Sequence, residues 1–236
     1  MALNTTTPQP WGNTGGASNA ANRATSSDVP QPRAPIDTTI TRAVFLDKDG
    51  TIVHDVPYNV DPKRIALIGG VGEGLRKLQD AGFLLFVVSN QPGVALGRFS
   101  ESALDAVEAR LDELLSPFGV MLTGCGWCTH PPIGVRTAIA CTCRKPRPGL
   151  LLDAAATHQI ALEHSWMVGD ILDDVEAGNR AGCRTILVDR GNETRWRGGR
   201  VRTPNAIVYH FGDAVDMILE SAREPLAARP RAAPGG

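Results

Sequence analysis

Short apolar runs alternate along the middle of this chain with segments of helical periodicity, and several of the runs end in a polar cluster. Val44-Phe45-Leu46 stops at Asp47-Lys48-Asp49-Gly50-Thr51. Phe83 to Val88 stops at Ser89-Asn90-Gln91-Pro92-Gly93, and Trp166-Met167-Val168 stops at Gly169-Asp170. Uninterrupted apolar runs of this length read as strands buried on both faces. Val120 to Trp127, Arg184 to Asp189 and Ala206 to Tyr209 are further strand candidates.

Between them the period changes. Val71, Leu75 and Leu78 predict a helix over Gly69 to Asp80, closed at Ala81-Gly82. Leu104, Val107, Leu111, Leu114 and Leu115 predict another over Ser100 to Leu115, with Ser100 as N-cap and its acids on a solvated face. Pro148 suits the first turn of a helix running through Leu150, Leu151 and Ala154 to a surface His158. A helix after Asp170, with Asp173 or Asp174 as N-cap, and a closing helix over Asp213 to Leu219 complete the pattern. Strands alternating with helices predict an α/β fold: a parallel sheet in a three-layer α/β/α sandwich.

Residues 1 to 38 are rich in Thr, Asn, Gly, Ala, Pro and Ser, lack apolar periodicity, and are expected to be a disordered tail with one incidental Trp11. Residues 222–236 are expected to be a second such tail, leaving one domain over 39–221.

Composition narrows the class. The chain has 236 residues, is 42% hydrophobic and carries a net charge of −1, so no charge excess points to nucleic acid or an anionic membrane. No apolar run approaches the ~20 residues that span a bilayer. The start, Met1-Ala2-Leu3-Asn4, has neither a basic region nor an apolar core, so no secretory signal is expected and the cytoplasm is the expected compartment. Four of the five cysteines fall between Cys125 and Cys143, which suits a metal in a reducing compartment better than a disulfide framework. The glycines at 69, 70, 72 and 74 do not have dinucleotide-binding spacing and read as a turn and helix start.

The strand ends carry the chemistry. In extended backbone, Asp47 and Asp49 point to the same side, and Gly50 permits a sharp exit. Two crowded carboxylates need a proton or cation between them. Ser89 and the backbone N–H groups after it can hold phosphate oxygens, although a Ser-Asn pair also suits a helix cap. Asp170 and Asp174 bring more acids to the same sheet edge. Carboxylates without thiol or imidazole favour Mg²⁺, and with a lysine and a hydroxyl they suit phosphoryl transfer through an aspartyl-phosphate. Cys128 and His130, then ten residues, then Cys141 and Cys143 form a tetrahedral set suited to structural Zn²⁺; Cys125 is a competing ligand by type and reads first as a buried thiol. Arg144 and Lys145 follow directly and would be held firmly by that clip.

These motifs, Asp47 to Thr51, Ser89, Lys145 and Gly169-Asp170-x-x-x-Asp174, resemble in order those of the haloacid dehalogenase (HAD) superfamily of phosphatases. The resemblance covers roughly residues 42 to 220. It implies that Asp47 attacks phosphorus and that Asp49 acts as acid and then base. It further implies Mg²⁺ on Asp47, the Asp49 carbonyl and Asp170 with Asp174 in support, and Ser89 and Lys145 on the phosphoryl oxygens.

A narrower resemblance is to the D-glycero-D-manno-heptose-1,7-bisphosphate 7-phosphatases. It rests on the zinc-loop residues, Arg144-Lys145-Pro146, and the Asn90, Gln91, Gly93, Ala95, Gly97 series. It implies substrate contacts from Asp55, Tyr58, Ser89, Asn90, Gln91, Arg144 and Lys145. Pro92 and a shorter zinc loop depart from that pattern. Histidinol-phosphate phosphatases share the zinc loop and the Arg-Lys-Pro step and are the nearest alternative. Without a large insertion between motifs, no separate cap domain is expected. The loop over 54–60 and the zinc loop would rim an open site for a small phosphorylated sugar, reached by a monomer.

Overall fold

The computed structural model describes residues 40–132, 141–194 and 196–223. Its centre is a six-stranded, all-parallel sheet made of β1 (Arg42–Leu46), β2 (Phe83–Asn90), β3 (Gly124–Cys128), β4 (Trp166–Gly169), β5 (Arg184–Val188) and β6 (Ala206–Val208). The helices are α1 (Val71–Asp80), α2 (Ser102–Leu115), α3 (Gly149–His158), α4 (Leu172–Ala181) and α5 (Phe211–Arg223).

The spatial order is β3-β2-β1-β4-β5-β6. From β1 the chain builds outward to one side, then returns to β4 and builds to the other. The reversal falls between β1 and β4, and in open α/β sheets the crevice outside the strand ends at such a point is where ligands bind.

Alternate side chains of β1 enter different cores, which is why its run is continuously apolar. Val44 and Leu46 pack with Val71, Leu75 and Leu78 of α1, and with Val107 and Leu111 of α2 and Val215 of α5. Ala43 and Phe45 face Leu150, Leu151 and Ala154 of α3 and Ala177 of α4. The expected three-layer sandwich is therefore present. Among the described residues, no further domain is inserted between β1 and β2 or between β2 and β3.

Several local expectations are corrected. Ser100 does not cap α2: Glu101 holds the N-cap position, already in helical conformation, and the Ser100 hydroxyl pairs with that of Ser102 at 2.9 Å. Val120 does not begin a strand, because the Thr123 side chain takes the ladder place opposite Leu85 (3.2 Å) and regular pairing starts at Gly124. His158 is half-buried, its ring 5.0 Å from that of Phe86. Pro148 is the N-cap of α3 rather than its first helical residue. At α4 the N-cap is Ile171, and Asp174 caps from inside the helix by accepting the Ile171 N–H at 3.3 Å. The closing helix runs longer than its apolar period, to Arg223. The tail expected at 1–38, with Trp11, and that expected at 222–236 beyond Arg223 lie outside the described residues.

Candidate active site

β1 delivers the first carboxylates. Its ladder with β4 runs one residue past the strand, through Asp47 N–H to the Val168 carbonyl (2.9 Å), and then the backbone turns at Gly50, whose φ is +81°. A Cβ at Gly50 would also overlap the Asp170 carboxylate, so only glycine lets this turn pass beside the end of β4. Gly169 does the same service for Asp174, whose side chain occupies the space a Cβ would need.

The carboxylates so collected are Asp47, Asp170 and Asp174, all buried, with ligand oxygens within 4.8 Å of one another. Lys145 threads between two of them: its Nζ lies 2.5 Å from Asp47 Oδ1 and 2.6 Å from Asp174 Oδ1, and donates to the Val88 carbonyl at 2.8 Å. Burial alone would lower this ammonium, but Asp174 and Asp47 outweigh it and raise its pKa. Asn192 Nδ2 donates to Asp170 Oδ2 at 2.7 Å, and the Thr51 hydroxyl reaches Oδ1 at 3.3 Å.

One buried cation among three acids leaves an excess of negative charge. Burial, with Asp47 and Asp174 nearby, pushes Asp170 well above the usual carboxylate range, and burial likewise raises Asp174 against the pull of Lys145. This all-oxygen set fits a hard divalent cation such as Mg²⁺, which would take the place of those protons.

Asp49 is in different company. Lys48, itself buried, lies 2.5 Å from its Oδ1, and Gln91 Nε2 donates to Oδ2 at 3.1 Å. Burial raises the Asp49 pKa, Lys48 opposes this, and Asp47 adds to it. Gln91 also donates to the Ser89 hydroxyl at 3.2 Å, so the end of β2 is tied to the end of β1.

A cavity of about 220 Å³ opens over this cluster, lined by Asp47, Asp49, Asp55, Ser89, Asn90, Lys145 and Asp170, together with Ile171 and Asn192. The lining thus brings together most of the expected residues. Gln91 and Asp174 lie behind it, on the residues that line it. Asn90 grips the backbone of Lys145 at both ends, accepting its N–H at 3.0 Å and donating to its carbonyl at 3.1 Å. Tyr58 is outside the lining, in left-handed conformation with the Arg98 guanidinium 4.0 Å above its ring. Arg144 is also outside, donating to the His130 carbonyl at 3.4 Å.

Three contributors were not among the expected site residues. Lys48 sits inside the Asp-x-Asp step, where alternation alone points it away. Thr51 closes the motif. Asn192 follows β5 in a loop without periodicity, and its only signal was position beyond the carboxyl end of a strand.

Beside Lys145, the expected thiol and imidazole ligands form a second cluster. Cys143 Sγ lies 3.3 Å from Cys128 Sγ and 3.2 Å from His130 Nδ1. Cys128 Sγ lies 3.6 Å from His130 Nδ1 and 4.0 Å from Cys141 Sγ. Tetrahedral zinc bonded at the usual lengths sets ligand–ligand separations of about 3.5–3.8 Å. The cluster brackets that value, so these four atoms fit such an ion. The hydrogen bond from Cys143 lowers the pKa of the Cys128 thiol and raises that of Cys143. Cys125 is buried elsewhere in the larger core.

Known proteins resemble this chain over most of its length. Residues 142–214 match the HAD-hydrolase-like family model. The D-glycero-beta-D-manno-heptose-1,7-bisphosphate 7-phosphatase of Haemophilus ducreyi is 37% identical over 182 residues, covering 76% of this chain and 93% of that protein. That of Escherichia coli K12 is 36% identical over 181 residues, covering 76% and 88%. The crystal structure of D,D-heptose 1,7-bisphosphate phosphatase from B. bronchiseptica, complexed with magnesium and phosphate, superposes with a TM-score of 0.67 at 27% identity. It covers 77% of this chain and 99% of that one.

Proposed function

The chain belongs to the HAD-like phosphatases, in the family of the heptose-1,7-bisphosphate 7-phosphatases, and from that premise we propose a specific reaction. It is hydrolysis of the 7-phosphate of D-glycero-D-manno-heptose 1,7-bisphosphate through a phosphorylated Asp47.

The observation that carries this reading is the contrast between Asp47 and Asp49. Asp47 is ion-paired with the buried ammonium of Lys145 at 2.5 Å, with one oxygen fixed beside that cation. Asp49, two residues on, has its pKa raised by burial against the pull of Lys48, a shift in the direction a proton donor needs. An Asp47 oxygen attacks phosphorus as the bond from phosphorus to O7 breaks, and Asp49 donates its proton to the departing O7. Asp49, now a carboxylate, takes a proton from water. The water oxygen attacks phosphorus, the bond to Asp47 breaks, and inorganic phosphate leaves. Ser89 and Lys145 hold the phosphoryl oxygens through both steps.

Mg²⁺ would be held by Asp47, the Asp49 backbone carbonyl and Asp170, with Asp174 in support, and would neutralise charge on the phosphoryl group. Zn²⁺ on Cys128, His130, Cys141 and Cys143 would fix the turn that carries Arg144 and Lys145. Asp55 and Arg144 are the rim groups proposed to meet the sugar. A monomer in the cytoplasm is part of the same reading; the compartment is supported by a thiol cluster that an oxidising one would cross-link. Among the described residues, no helix is long and apolar enough to cross a membrane.

The test is Asp47→Asn. The amide keeps the volume and cannot act as the nucleophile, so phosphate release with Mg²⁺ should fall by at least ~10³-fold while circular dichroism is unchanged. Turnover at the wild-type rate would remove Asp47 from the role.

A further inference from the structure

The cavity over the carboxylates, about 220 Å³, is smaller than the ~300–1,000 Å³ of ordinary small-molecule sites. It has room for the reacting phosphoryl group and the carbons next to it. A heptose bisphosphate carries a ring and a second dianion that must lie elsewhere. Directly alongside is a larger cavity of about 540 Å³, which shares Ile171 and Asn192 with the first as common wall.

The charges in this second cavity are mostly spoken for. Arg202 is paired with Asp173 (3.0 Å) and Glu176 (2.7 Å). Glu193 is tied to the start of α4, accepting the Leu172 N–H at 2.8 Å. Arg197 also lines the cavity, is exposed, and pairs with no described carboxylate. The cations nearer the reacting centre are engaged: Lys145 by Asp47 and Asp174, Lys48 by Asp49. Among the described residues that line the two cavities, Arg197 is thus the cation with no carboxylate partner. A guanidinium gives a phosphate two parallel N–H donors, a geometry no neutral side chain in the cavity supplies.

We propose that the substrate crosses Asn192, that its second phosphate, on C1, lies in the adjoining cavity, and that Arg197 is the residue that reads it. This rests on the heptose bisphosphate reading above and adds a specificity subsite to it. Asn192 then has two duties: it fixes Asp170 and forms the threshold between the phosphoryl site and the anion subsite.

The test is steady-state phosphate release from the 1,7-bisphosphate and from the matched heptose 7-monophosphate, with wild type, Arg197→Ala, Arg197→Lys and Arg144→Ala. Arg197→Ala should reduce the kcat/KM preference for the bisphosphate over the monophosphate by roughly ten- to a hundredfold, mainly through KM. Arg197→Lys should restore part of it. An unchanged ratio in Arg197→Ala, or loss of the ratio in Arg144→Ala alone, would overturn the assignment and put the second phosphate on the zinc-loop side. Failure of the wild type itself to turn over the bisphosphate is a separate result, and it would count against the substrate reading before Arg197 is considered.

Discussion

Asn90→Ala isolates the tie between β2 and the turn that carries Lys145. The Asn90 side chain both accepts the Lys145 N–H (3.0 Å) and donates to its carbonyl (3.1 Å), and the Lys145 side chain is buried. Alanine removes two neutral hydrogen bonds, each contributing about 1 kcal/mol net, and leaves a backbone donor and acceptor unpaired in a half-buried place. The cost should be about 2–4 kcal/mol. For a chain of this size that lowers Tm by about 5–15 °C. The larger effect should be on rate. The Lys145 ammonium sits 2.5 Å from Asp47, and a shift of about 1 Å in a group so close to the reacting atoms costs on the order of a hundredfold. The assay is phosphate release with Mg²⁺ alongside thermal unfolding. The expected outcome is kcat down about a hundredfold with KM changed severalfold at most. Asn90→Asp should fall between, since it can accept the N–H but not donate to the carbonyl. A raised KM with intact kcat and intact Tm would refute this reasoning, and would mean that Asn90 meets the substrate and Lys145 is held by its ion pairs alone.

Two further outcomes follow from the proposed metal sites. Burial raises Asp170 from 3.8 to about 8 and raises Asp174 in the same direction, so the metal-free fold favours their protonated forms. Stability without metal should therefore decline as pH climbs through that interval, while Mg²⁺ affinity, measured by calorimetry, should tighten; affinity independent of pH would contradict the carboxylate set. The purified protein should retain about one zinc per chain after mild dialysis, read by elemental analysis, and stripping it should lower Tm and kcat together because Lys145 follows the last ligand by two residues. A zinc-free protein of full stability and activity would contradict the tetrahedral assignment.

How much of this was legible in sequence depends on whether a residue's position is set by its own element. Asp47, Ser89 and Asp170 each close an apolar run, and parallel strands put such residues at one sheet edge by construction. The thiol and imidazole cluster was legible because its chemistry is specific even where its loop is not. Asn192, Lys48 and Thr51 were not, since their contacts depend on the turn at Gly50 and on a loop beyond β5, neither of which carries a period. Tyr58 lies under Arg98, and Arg144 lies against the His130 carbonyl. Both are arrangements between segments that no local pattern encodes. The misplaced caps at Ser100 and Asp173 have the same origin: residue type suggests a cap, while the backbone enters α2 at Glu101, one residue later, and α4 at Ile171, two residues earlier.

The proposed reaction acts on one sugar phosphate, and its most direct measurement is phosphate release with Mg²⁺ from a matched panel. The panel holds both anomers of D-glycero-D-manno-heptose 1,7-bisphosphate, histidinol phosphate and several common sugar monophosphates. A clear kcat/KM preference for a heptose bisphosphate, with one phosphate released per molecule, is the predicted result. Preference for histidinol phosphate, or no release from any member by folded, metal-loaded protein, would contradict it.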